Sequence, residues 1–421
     1  MLPKKFFVVG MSLSLSTAQS LVNQLALQMH RLMSQALQLL RSFTEVSVLP
    51  LVIYVDVDLE STVEAMMPLG IIQVLAGCET GVALADVLSD RMGLTSNGAS
   101  KAVARRNKFA MGEAIRAAGL RAVKQCEAAT WKAVVDFIEY DLQPTPFQVI
   151  LKPSESAGGD AVYLCTCWND VQEAFDQIQG STNQLGITNS AVLVQEYLVG
   201  TEYVVDTVSQ HGVHKVVAIW EYEKGPANNA PFVYFVVRLM DPSESPRVSA
   251  IVNYILQVLD ALHIAHGPAH AEVKWVVNEP CLVETGARCH GNNGTFIPTV
   301  DQCIGYNQVT ATLDSYIDEQ AFNALPAMPP KLRVHGCEVS LVSYARGFIE
   351  SCPGYDVVES LASYHRRYML THVGHMLVPT VDVFTKPGSI WLLHESKDVI
   401  EDDIKTIREL ERDGFWKIKE D

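Results

Sequence analysis

The chain has 421 residues, 48% of them hydrophobic, which is enough for two or three domains with sizeable cores. Its formal net charge of -16 and pI near 5.2 argue against a general nucleic-acid or anionic-membrane surface. Nine cysteines without a Cys-x-x-Cys pair favour a reduced, cytoplasmic protein, and the absence of an apolar run of about 18 residues argues against a membrane span.

The first segment of the chain, residues 1–105, is predicted to be an open α/β domain. Two lysines and a short apolar run near the start are compatible with a signal peptide or with a first strand, and we favour a strand at Phe6 to Val9. Further strands are predicted near Val52 and Gln73, with helices between them. Residues 19–43 are helix-prone and contain no glycine.

A second segment, residues 106–194, is predicted to be a small subdomain with a glycine-rich loop. Val149 to Leu151 form an apolar strand that ends at Lys152, and a helix is expected around Val171 to Ile178. The loop after the strand can bind an anion through backbone N–H groups, hydroxyls and a lysine charge. The residues that can contribute are Lys152, Ser154, Ser156, Gly158 and Gly159. Taken alone, the loop is more often a flexible hairpin connection.

The third segment, residues 195–421, contains a predicted hairpin with two acidic residues. His270 to Val277 alternates in polarity, Asn278 to Pro280 is a predicted turn, and Cys281 to Glu284 forms the returning strand. Glu272 and Glu284 share one face if the loop has an odd number of residues. Facing carboxylates repel, so a cation such as Mg²⁺ between them is one interpretation, and a hairpin with solvated acids is the other.

The rest of the third segment contains a proline-rich stretch and a terminal helix. Pro326 to Pro330 is predicted to separate the catalytic sheet from a C-terminal portion beginning near residue 331. Val399 to Arg412 has the pattern of an amphipathic helix. Lys224 is assigned to a loop that begins at Tyr222, where a solvated lysine is favoured over one that covers phosphates.

In chain order, these elements resemble the ATP-grasp superfamily. The resemblance rests also on RRNKFAMGEAIRAAGLRAVKQ, which has Lys108 at the start of a helical stretch, and on VLVQEYLVGTEYVVD, which is similar to an adenine hinge. It extends from about Asp58 to the C-terminus. It implies an α/β (α+β) ATP-grasp fold with an N-terminal open α/β, pre-ATP-grasp-like domain, a small ATP-binding subdomain with a glycine-rich flap, and a large subdomain that carries the metal and substrate site.

The resemblance also implies roles for individual residues. Lys108 and Lys152 match the phosphate-binding lysines, Glu272 and Glu284 the metal ligands, and Arg288 the arginine that holds a substrate carboxylate and stabilises the transferred group. The implied adenine and ribose contacts are Gln195, Glu196, Tyr197, Leu198 and Glu202. Lys152 and Arg288 are the implied catalytic residues, and ATP and Mg²⁺, with Mn²⁺ as an alternative, are the implied cofactors.

One position departs from the pattern Glu-x-Asn-x-Arg that is common in the superfamily. Gly286 stands in place of the asparagine and cannot ligate a metal through a side chain, so the number of metal ions is left open. The form Glu-x-Gly-Ala-Arg, followed by His290, is similar to the branch of L-amino acid ligases and dipeptide synthetases. His290 and Asn292 are candidate substrate contacts in this branch, although a polar surface loop explains them equally well.

The implied activity is an ATP-dependent carboxylate–amine ligase that forms an amide through an acyl phosphate and releases ADP and phosphate. Its partners would be a small-molecule carboxylate and amine, without nucleic acid or membrane. Two alternatives remain: another ATP-grasp enzyme, such as a biotin-carboxylase-like or purine-precursor ligase, and a degenerate ATP-binding protein without catalysis. Neither the substrates nor the oligomeric state is predicted.

Overall fold

A computed structural model of the chain describes residues 4–9, 46–47 and 59–419. The predicted strands near Phe6 and Gln73 are present as β1 (Lys4–Val9) and β3 (Ile71–Ala76). Together with β2 (Val46–Ser47) they form a parallel three-stranded sheet in the order β2-β1-β3. The predicted strand near Val52 and the helix-prone residues 19–43 lie outside the described residues.

Two helices pack against this first sheet, α1 (Leu59–Met66) and α2 (Val82–Arg91). Their shared core contains Met66, Val74 and Leu88. The chain leaves the carboxyl end of β3 into a short 3₁₀ turn, Glu79–Gly81. Since ligands of open α/β sheets bind beyond the carboxyl ends of the strands, this turn lies where a site is expected.

A four-stranded antiparallel sheet follows, in the order β4-β7-β5-β6. Its strands are β4 (Gln125–Ala128), β5 (Val149–Lys152), β6 (Tyr163–Cys165) and β7 (Val192–Glu196). The helices of this region are α3 (Lys108–Ala117), α4 (Trp131–Asp136) and α5 (Trp168–Ile178), and α5 confirms the helix expected at residues 171–178. Asn107 caps α3 by accepting a hydrogen bond from the N–H of Ala110, which makes Lys108 the first helical residue.

The largest sheet has eight antiparallel strands in the order β12-β11-β8-β9-β10-β13-β17-β15. Its strands are β8 (Glu202–Gln210), β9 (Val213–Ala227), β10 (Ala230–Leu239), β11 (Gly267–Val276), β12 (Glu279–Gly286), β13 (His335–Ser340), β15 (Tyr364–Met369) and β17 (Gly388–His394). Helix α6 (Pro246–Ala261) covers one end of the sheet and buries Val248, Ile251 and Ile255, which recur at helical spacing.

Further helices surround this sheet. They are α7 (Ile297–Cys303), α8 (Gln308–Ile317), α9 (Glu319–Ala324), α10 (Gly354–Glu359) and α11 (Lys397–Arg412). The last confirms the predicted terminal helix and buries Ile400, Ile404 and Ile407. A small sheet, in the order β16-β14-β18, comprises β14 (Gly347–Ser351), β16 (Met376–Leu377) and β18 (Lys417–Ile418). Among the described residues, no helix combines the length and apolar character needed to cross a bilayer.

The expectation that Pro326 to Pro330 ends the catalytic sheet is wrong. Strand β13, which follows this stretch, pairs with β10, and β17 then pairs with β13, so the same sheet continues into the C-terminal portion. The prolines mark only a connection, because the next strand returns to the same sheet, between β10 and β17, and buries Cys337 and Val339. Composition of a connecting segment does not reveal where the next strand pairs.

Candidate active site

The predicted acidic hairpin is present, and its register places Glu272 directly opposite Glu284. The turn differs from the prediction, because Val277 and Asn278 form it, both with positive φ, and β12 already begins at Glu279. This two-residue turn alone would place Val283 opposite Glu272. A one-residue register shift beyond Val273 brings Glu284 there instead. The two carboxylates therefore meet because of a β-bulge and not because of an odd loop.

Two lysines contact this carboxylate pair. The Nζ of Lys108 lies 2.7 Å from Oε2 of Glu284, and it also donates to the carbonyl of Ser156 at 2.6 Å. The Nζ of Lys224 lies 4.0 Å from Oε2 of Glu272. Paired carboxylate oxygens with low exposure are the hard ligands that Mg²⁺ prefers, so the donor set fits that ion.

Lys152 is buried at the end of β5, as the sequence predicts for a strand-terminal lysine. Burial, reinforced by the charge of Lys108, lowers the pKa of Lys152 to about 8, against the opposing pull of Glu284 and Glu272. Burial makes the protonated form of Lys152 unfavourable, so an approaching anion such as a phosphate stabilises it.

The pKa of Lys152 gives a testable pH dependence. Because the lysine loses its proton as the pH rises through about 8, affinity for ATP in the absence of other substrates is expected to fall above that pH. Calorimetric titration of ATP between pH 7 and pH 9.5 measures the effect. Lys152→Arg, which stays charged, is expected to remove the pH dependence, and an unchanged profile in this variant would contradict the assignment.

The glycine-rich loop after Lys152 has left-handed backbone at Gly158 and Gly159, with φ of +70° and +85°. A Cβ on Gly158 would lie 2.5 Å from Cγ2 of Val383, so only glycine fits beneath this neighbour. The hydroxyl of Ser154 donates to Glu127, while Ser156 is buried. The loop thus lies over the site and contacts the C-terminal portion, and its contacts with phosphate remain a prediction.

In the hinge segment, Gln195 and Glu196 are held by their side chains. Gln195 donates to Gln125 Oε1 at 2.9 Å, and the Glu196 carboxylate accepts from Arg121 at 2.9 Å and from the N–H of Lys124 at 2.7 Å. These bonds fix the backbone of the segment.

The two residues that follow pack at the same end of β7. Leu198 packs against Val123 and Cys281, and the ring of Tyr197 lies 6.1 Å from that of Phe232. The side chains of Gln195 and Glu196 are already hydrogen-bonded within the protein. These two residues would therefore contact an adenine base through their backbone.

Lys224 was predicted as a solvated loop residue, and this is wrong. It lies within β9, its side chain is only 16% exposed and contacts the rings of Tyr222 and Tyr234, and it pairs with Glu202. The residues that suggested a loop are only the end of the strand, because the turn itself is formed by Asn228 and Asn229, both with positive φ.

Glu202 is therefore already engaged by lysines before any ligand binds. The Nζ of Lys274, its cross-strand partner on β11, lies 3.7 Å from its other carboxylate oxygen. Lys274 also faces the rings of Tyr197 and Phe232 at 5.6 and 5.9 Å. Glu202, the predicted ribose contact, thus lies beside the hinge and pairs with two lysines.

Arg288 is linked to the first domain through Glu79. Its Nε donates to Oε2 of Glu79 at 2.9 Å, and Nη1 of Arg106 lies 3.7 Å from the other oxygen of the same carboxylate. Both terminal nitrogens of Arg106 are buried without a hydrogen-bond partner in the described part of the chain. Donors that lack a hydrogen bond and share the Glu79 carboxylate with Arg288 are suited to an incoming anionic group.

The Glu79–Arg288 pair also explains Gly286. A Cβ on this residue would lie 2.7 Å from Oε2 of Glu79 and 3.2 Å from Cζ of Arg288. An asparagine side chain at this position would displace the ion pair. The Glu79–Arg288 pair is therefore compatible with glycine and not with asparagine.

Gly286→Asn is therefore expected to weaken binding of the carboxylate substrate by about tenfold or more, because it displaces Glu79 and misplaces Arg288. The readout is the KM for that substrate. Glu79→Ala makes room for the new side chain, so the penalty of Gly286→Asn is expected to shrink in that background. Equal penalties in both backgrounds would show that the collision with Glu79 is not the cause.

A buried cluster of Asp206, His270 and His290 lies next to Glu272. Nδ1 of His270 is 2.7 Å from one oxygen of Asp206, Nδ1 of His290 is 2.9 Å from the other, and the Trp220 indole also donates to this carboxylate at 2.7 Å. The ligand atoms of the three residues lie within 4.8 Å of one another, so they meet the distance requirement for a metal site. Their hydrogen bonds already satisfy the carboxylate.

The two histidines that share Asp206 differ in charge. Burial opposes protonation of His270, but the Asp206 carboxylate outweighs it and raises the pKa of this histidine to about 9. Burial and the neighbouring His270 hold the pKa of His290 below its ordinary value, despite Asp206. At neutral pH, His270 is the charged partner and His290 the neutral one.

A cavity of about 310 Å³ lies between the first domain and the large sheet, next to Arg288. Its walls include Val74, Leu75 and Val82 from the first domain and Leu313 and Tyr316 from α8. His290 and Asn292, the two candidate substrate contacts, both line this cavity, but different groups hold their side chains. The His290 side chain rests on Asp206, and the Asn292 amide is bonded to Glu338 and Lys386.

Sequence reasoning missed Glu79, Arg106, Asp206 and Lys274 as parts of this site. Asp206 carries the clearest signal, since it is an acidic residue directly after the apolar run Tyr203 to Val205, in a strand that is buried from Glu202 to Ser209, and it therefore needs partners. Glu79 carries none, because only the tertiary arrangement brings it 2.9 Å from Arg288.

Comparison with known proteins shows similarity in sequence over most of the chain. Residues 145–295 match the family model of the ATP-grasp domain. Dapdiamide A synthase of Enterobacter agglomerans is 27% identical over 365 residues, which cover 86% of this chain and 84% of the relative. Alanine–anticapsin ligase of Bacillus subtilis (strain 168) is 24% identical over 241 residues, which cover 53% of this chain and 49% of the relative.

Solved structures extend the similarity to the fold over most of the chain. The L-amino acid ligase from Bacillus licheniformis superposes with a TM-score of 0.72 at 17% identity, over 97% of this chain and 98% of that one. Carboxyaminoimidazole ribonucleotide synthase from Aspergillus clavatus, solved with ATP, gives 0.67 at 15% identity over 97% and 98%. The chain therefore carries an ATP-grasp domain within an ATP-grasp fold, and it resembles the carboxylate–amine ligases of that superfamily.

Proposed function

We propose that the protein is an ATP-dependent ligase that joins the carboxylate of one small molecule, an amino acid or a similar compound, to the amine of a second. One observation carries the proposal. Glu272 and Glu284 face each other across the hairpin, Lys108 contacts Glu284 at 2.7 Å, and Arg288, which follows the second strand of this hairpin, lines a cavity of about 310 Å³. This arrangement brings a triphosphate and a carboxylate together without a side-chain nucleophile.

The ATP-binding side of the site consists of two lysines, the glycine-rich flap and the hinge. Lys108 and Lys152 supply charge for the phosphates, and the flap with Gly158 and Gly159 supplies backbone N–H groups. The hinge from Gln195 to Leu198 is a narrow segment suited to an adenine ring. Tyr197 and Phe232 add apolar surface there.

Glu272 and Glu284 would hold Mg²⁺, since carboxylate oxygens on facing strands fit this ion. When bound, magnesium neutralises phosphate charge. Lys108, which contacts Glu284, and Lys224, which approaches Glu272, orient both carboxylates for that ion. Gly286 has no side chain, so it adds no third side-chain ligand to Glu272 and Glu284.

Arg288 would hold the substrate carboxylate while it attacks the γ-phosphorus of ATP in line. Glu79 fixes the guanidinium through Nε and the carbonyl of Cys289 accepts from Nη1 at 3.0 Å, so Nη2 and the second hydrogen of Nη1 remain for the substrate. The attack forms an acyl phosphate and ADP. When the amine then adds to the acyl carbon, Arg288 stabilises the oxyanion, and phosphate leaves as the amide forms. The closed flap excludes water, which would hydrolyse the acyl phosphate.

The names of the relatives support a ligase over the alternatives. Dapdiamide A synthase and alanine–anticapsin ligase are similar to this chain in sequence, and an L-amino acid ligase is similar in fold. A non-catalytic ATP-binding protein would not need the intact set of Lys108, Lys152, Glu272, Glu284 and Arg288. We expect the reaction to take place in the cytoplasm, where ATP is supplied.

A screen of paired carboxylates and amines tests the proposal. Purified protein is incubated with ATP and magnesium, phosphate release is measured, and products are identified by mass. We expect release that requires both a carboxylate and an amine, together with a product whose mass is their sum less water. ATP binding without turnover across a broad panel, or turnover that ignores the amine, would contradict the proposal.

A further inference from the structure

His290 has a free ring nitrogen in a fixed orientation. Its Nδ1 lies 2.9 Å from Asp206, a fully buried carboxylate whose pKa is held far below its ordinary value by its two histidines, although burial opposes this. An ionised carboxylate only accepts hydrogen bonds, so Nδ1 carries the hydrogen and Nε2 of the neutral ring carries the lone pair. No hydrogen bond to Nε2 is found in the described part of the chain.

The position of His290 places its ring at the wall of the substrate cavity. The residue lines the cavity together with Arg288, and its ring centroid lies 4.5 Å from that of His270. Nε2 of His270 is in turn 3.8 Å from Oε1 of Glu272. His290 therefore lies between the carboxylate pair and the substrate cavity, where the amine must meet the acyl phosphate.

Packing around the ring favours a neutral base. Trp220 and Phe296 contact it with centroids 5.3 and 4.8 Å away. The charged groups that face it are Asp206 from β8, His270 from β11, Glu338 from β13 and Arg288 on the same loop. Burial keeps the ring uncharged near neutral pH, and Asp206 stabilises the imidazolium that forms when the ring accepts a proton.

We propose that His290, oriented by Asp206, accepts the proton that the amine substrate must lose before it attacks the acyl phosphate. This inference rests on the proposed ligase function. An amine arrives as an ammonium ion with three hydrogens, and the amide retains one. One proton passes to Nε2 of His290, and the nitrogen lone pair then forms the bond to the acyl carbon. The second proton leaves with the phosphate as the carbon–oxygen bond breaks, which gives the amide, HPO₄²⁻ and imidazolium.

Hydroxylamine separates this step from the rest of the reaction, because it is largely unprotonated at neutral pH and captures an acyl phosphate without a base. We expect His290→Asn to lower amide formation with an amino acid by roughly 10²–10⁴-fold, the range for loss of a general base. Hydroxamate formation from the same carboxylate is expected to stay within a few-fold of the wild type. Raising the pH is expected to restore amide formation in the variant, because it deprotonates the amine.

Two further variants complete the experiment. Asp206→Asn, which changes a positioning residue, is expected to cause a smaller loss of the same kind and to alter the pH profile. The control is His214→Asn, since His214 forms a comparable pair with Asp260, at 3.2 Å, outside the site. It is expected to leave both products unchanged.

The outcomes distinguish the inference from the proposed function. If amide and hydroxamate formation fall equally in His290→Asn, or if neither falls, the inference is overturned while the ligase function stands. A wild type that forms neither product overturns both. Should the variant not fold, the wild-type pH profile decides. Amide formation must then fall below pH 6.5 more steeply than hydroxamate formation, and parallel profiles would overturn the inference.

Discussion

Glu284→Ala is expected to reduce amide formation by about 10²–10³-fold, the loss typical when one stabiliser of transition-state charge is removed. The variant removes an oxygen ligand for magnesium and leaves the buried ammonium of Lys108 without the carboxylate that lies 2.7 Å away. The measurement is kcat for ADP release in the presence of both substrates, at saturating magnesium.

The control for this prediction is Glu223→Ala. Glu223 also lies in the large sheet and also pairs with a basic residue, Arg238 at 2.6 Å, but its side chain is 52% exposed and away from the carboxylate pair. We expect this variant to keep wild-type activity, because exposed ion pairs contribute little. Full activity in Glu284→Ala would show that the hairpin acids do not bind the metal.

Arg288→Lys is expected to lower kcat with the carboxylate substrate by about 10²–10³-fold, although it conserves the charge. Lysine lacks the planar fork that holds a carboxylate by two parallel bonds, and it cannot keep the 2.9 Å bond from Nε to Glu79. Steady-state kinetics at varied carboxylate concentration are the readout. The KM for the carboxylate is expected to rise as well, because the same guanidinium binds the ground state.

Arg116→Lys is the matched control, since Arg116 is 44% exposed and pairs only loosely with Glu113 in α3. It is expected to leave both kinetic constants unchanged. ATP affinity offers a second check, because Arg288 lines the cavity proposed for the substrate carboxylate and does not lie at the hinge. A large loss of ATP affinity in Arg288→Lys, with unchanged catalysis, would assign the arginine to the nucleotide instead.

Much of the architecture was accessible from local sequence patterns. The alternation around Glu272 predicted the hairpin, the apolar run before Lys152 predicted β5, and the order of these motifs indicated the ATP-grasp fold. Such features lie within short segments, where side-chain periodicity reports directly on the local backbone. The terminal helix, with its buried isoleucines at helical spacing, was predictable for the same reason.

Features that depend on strand pairing or on distant contacts were not accessible in this way. The bulge that brings Glu284 opposite Glu272 depends on the packing of both strands. Gly286 looked like a missing ligand, and only its closeness to Glu79 shows why a side chain does not fit. Lys224 was assigned to a loop beginning at Tyr222, where most lysines are exposed, yet the strand β9 continues to Ala227.

The central claim is that the carboxylate substrate is activated as an acyl phosphate between the lysine-lined triphosphate site and Arg288. A substrate carboxylate labelled with oxygen-18 at both oxygens tests this directly. The account predicts that each turnover transfers one labelled oxygen to inorganic phosphate and leaves the other in the amide carbonyl. Phosphate without the label, or label recovered in AMP, would contradict the account.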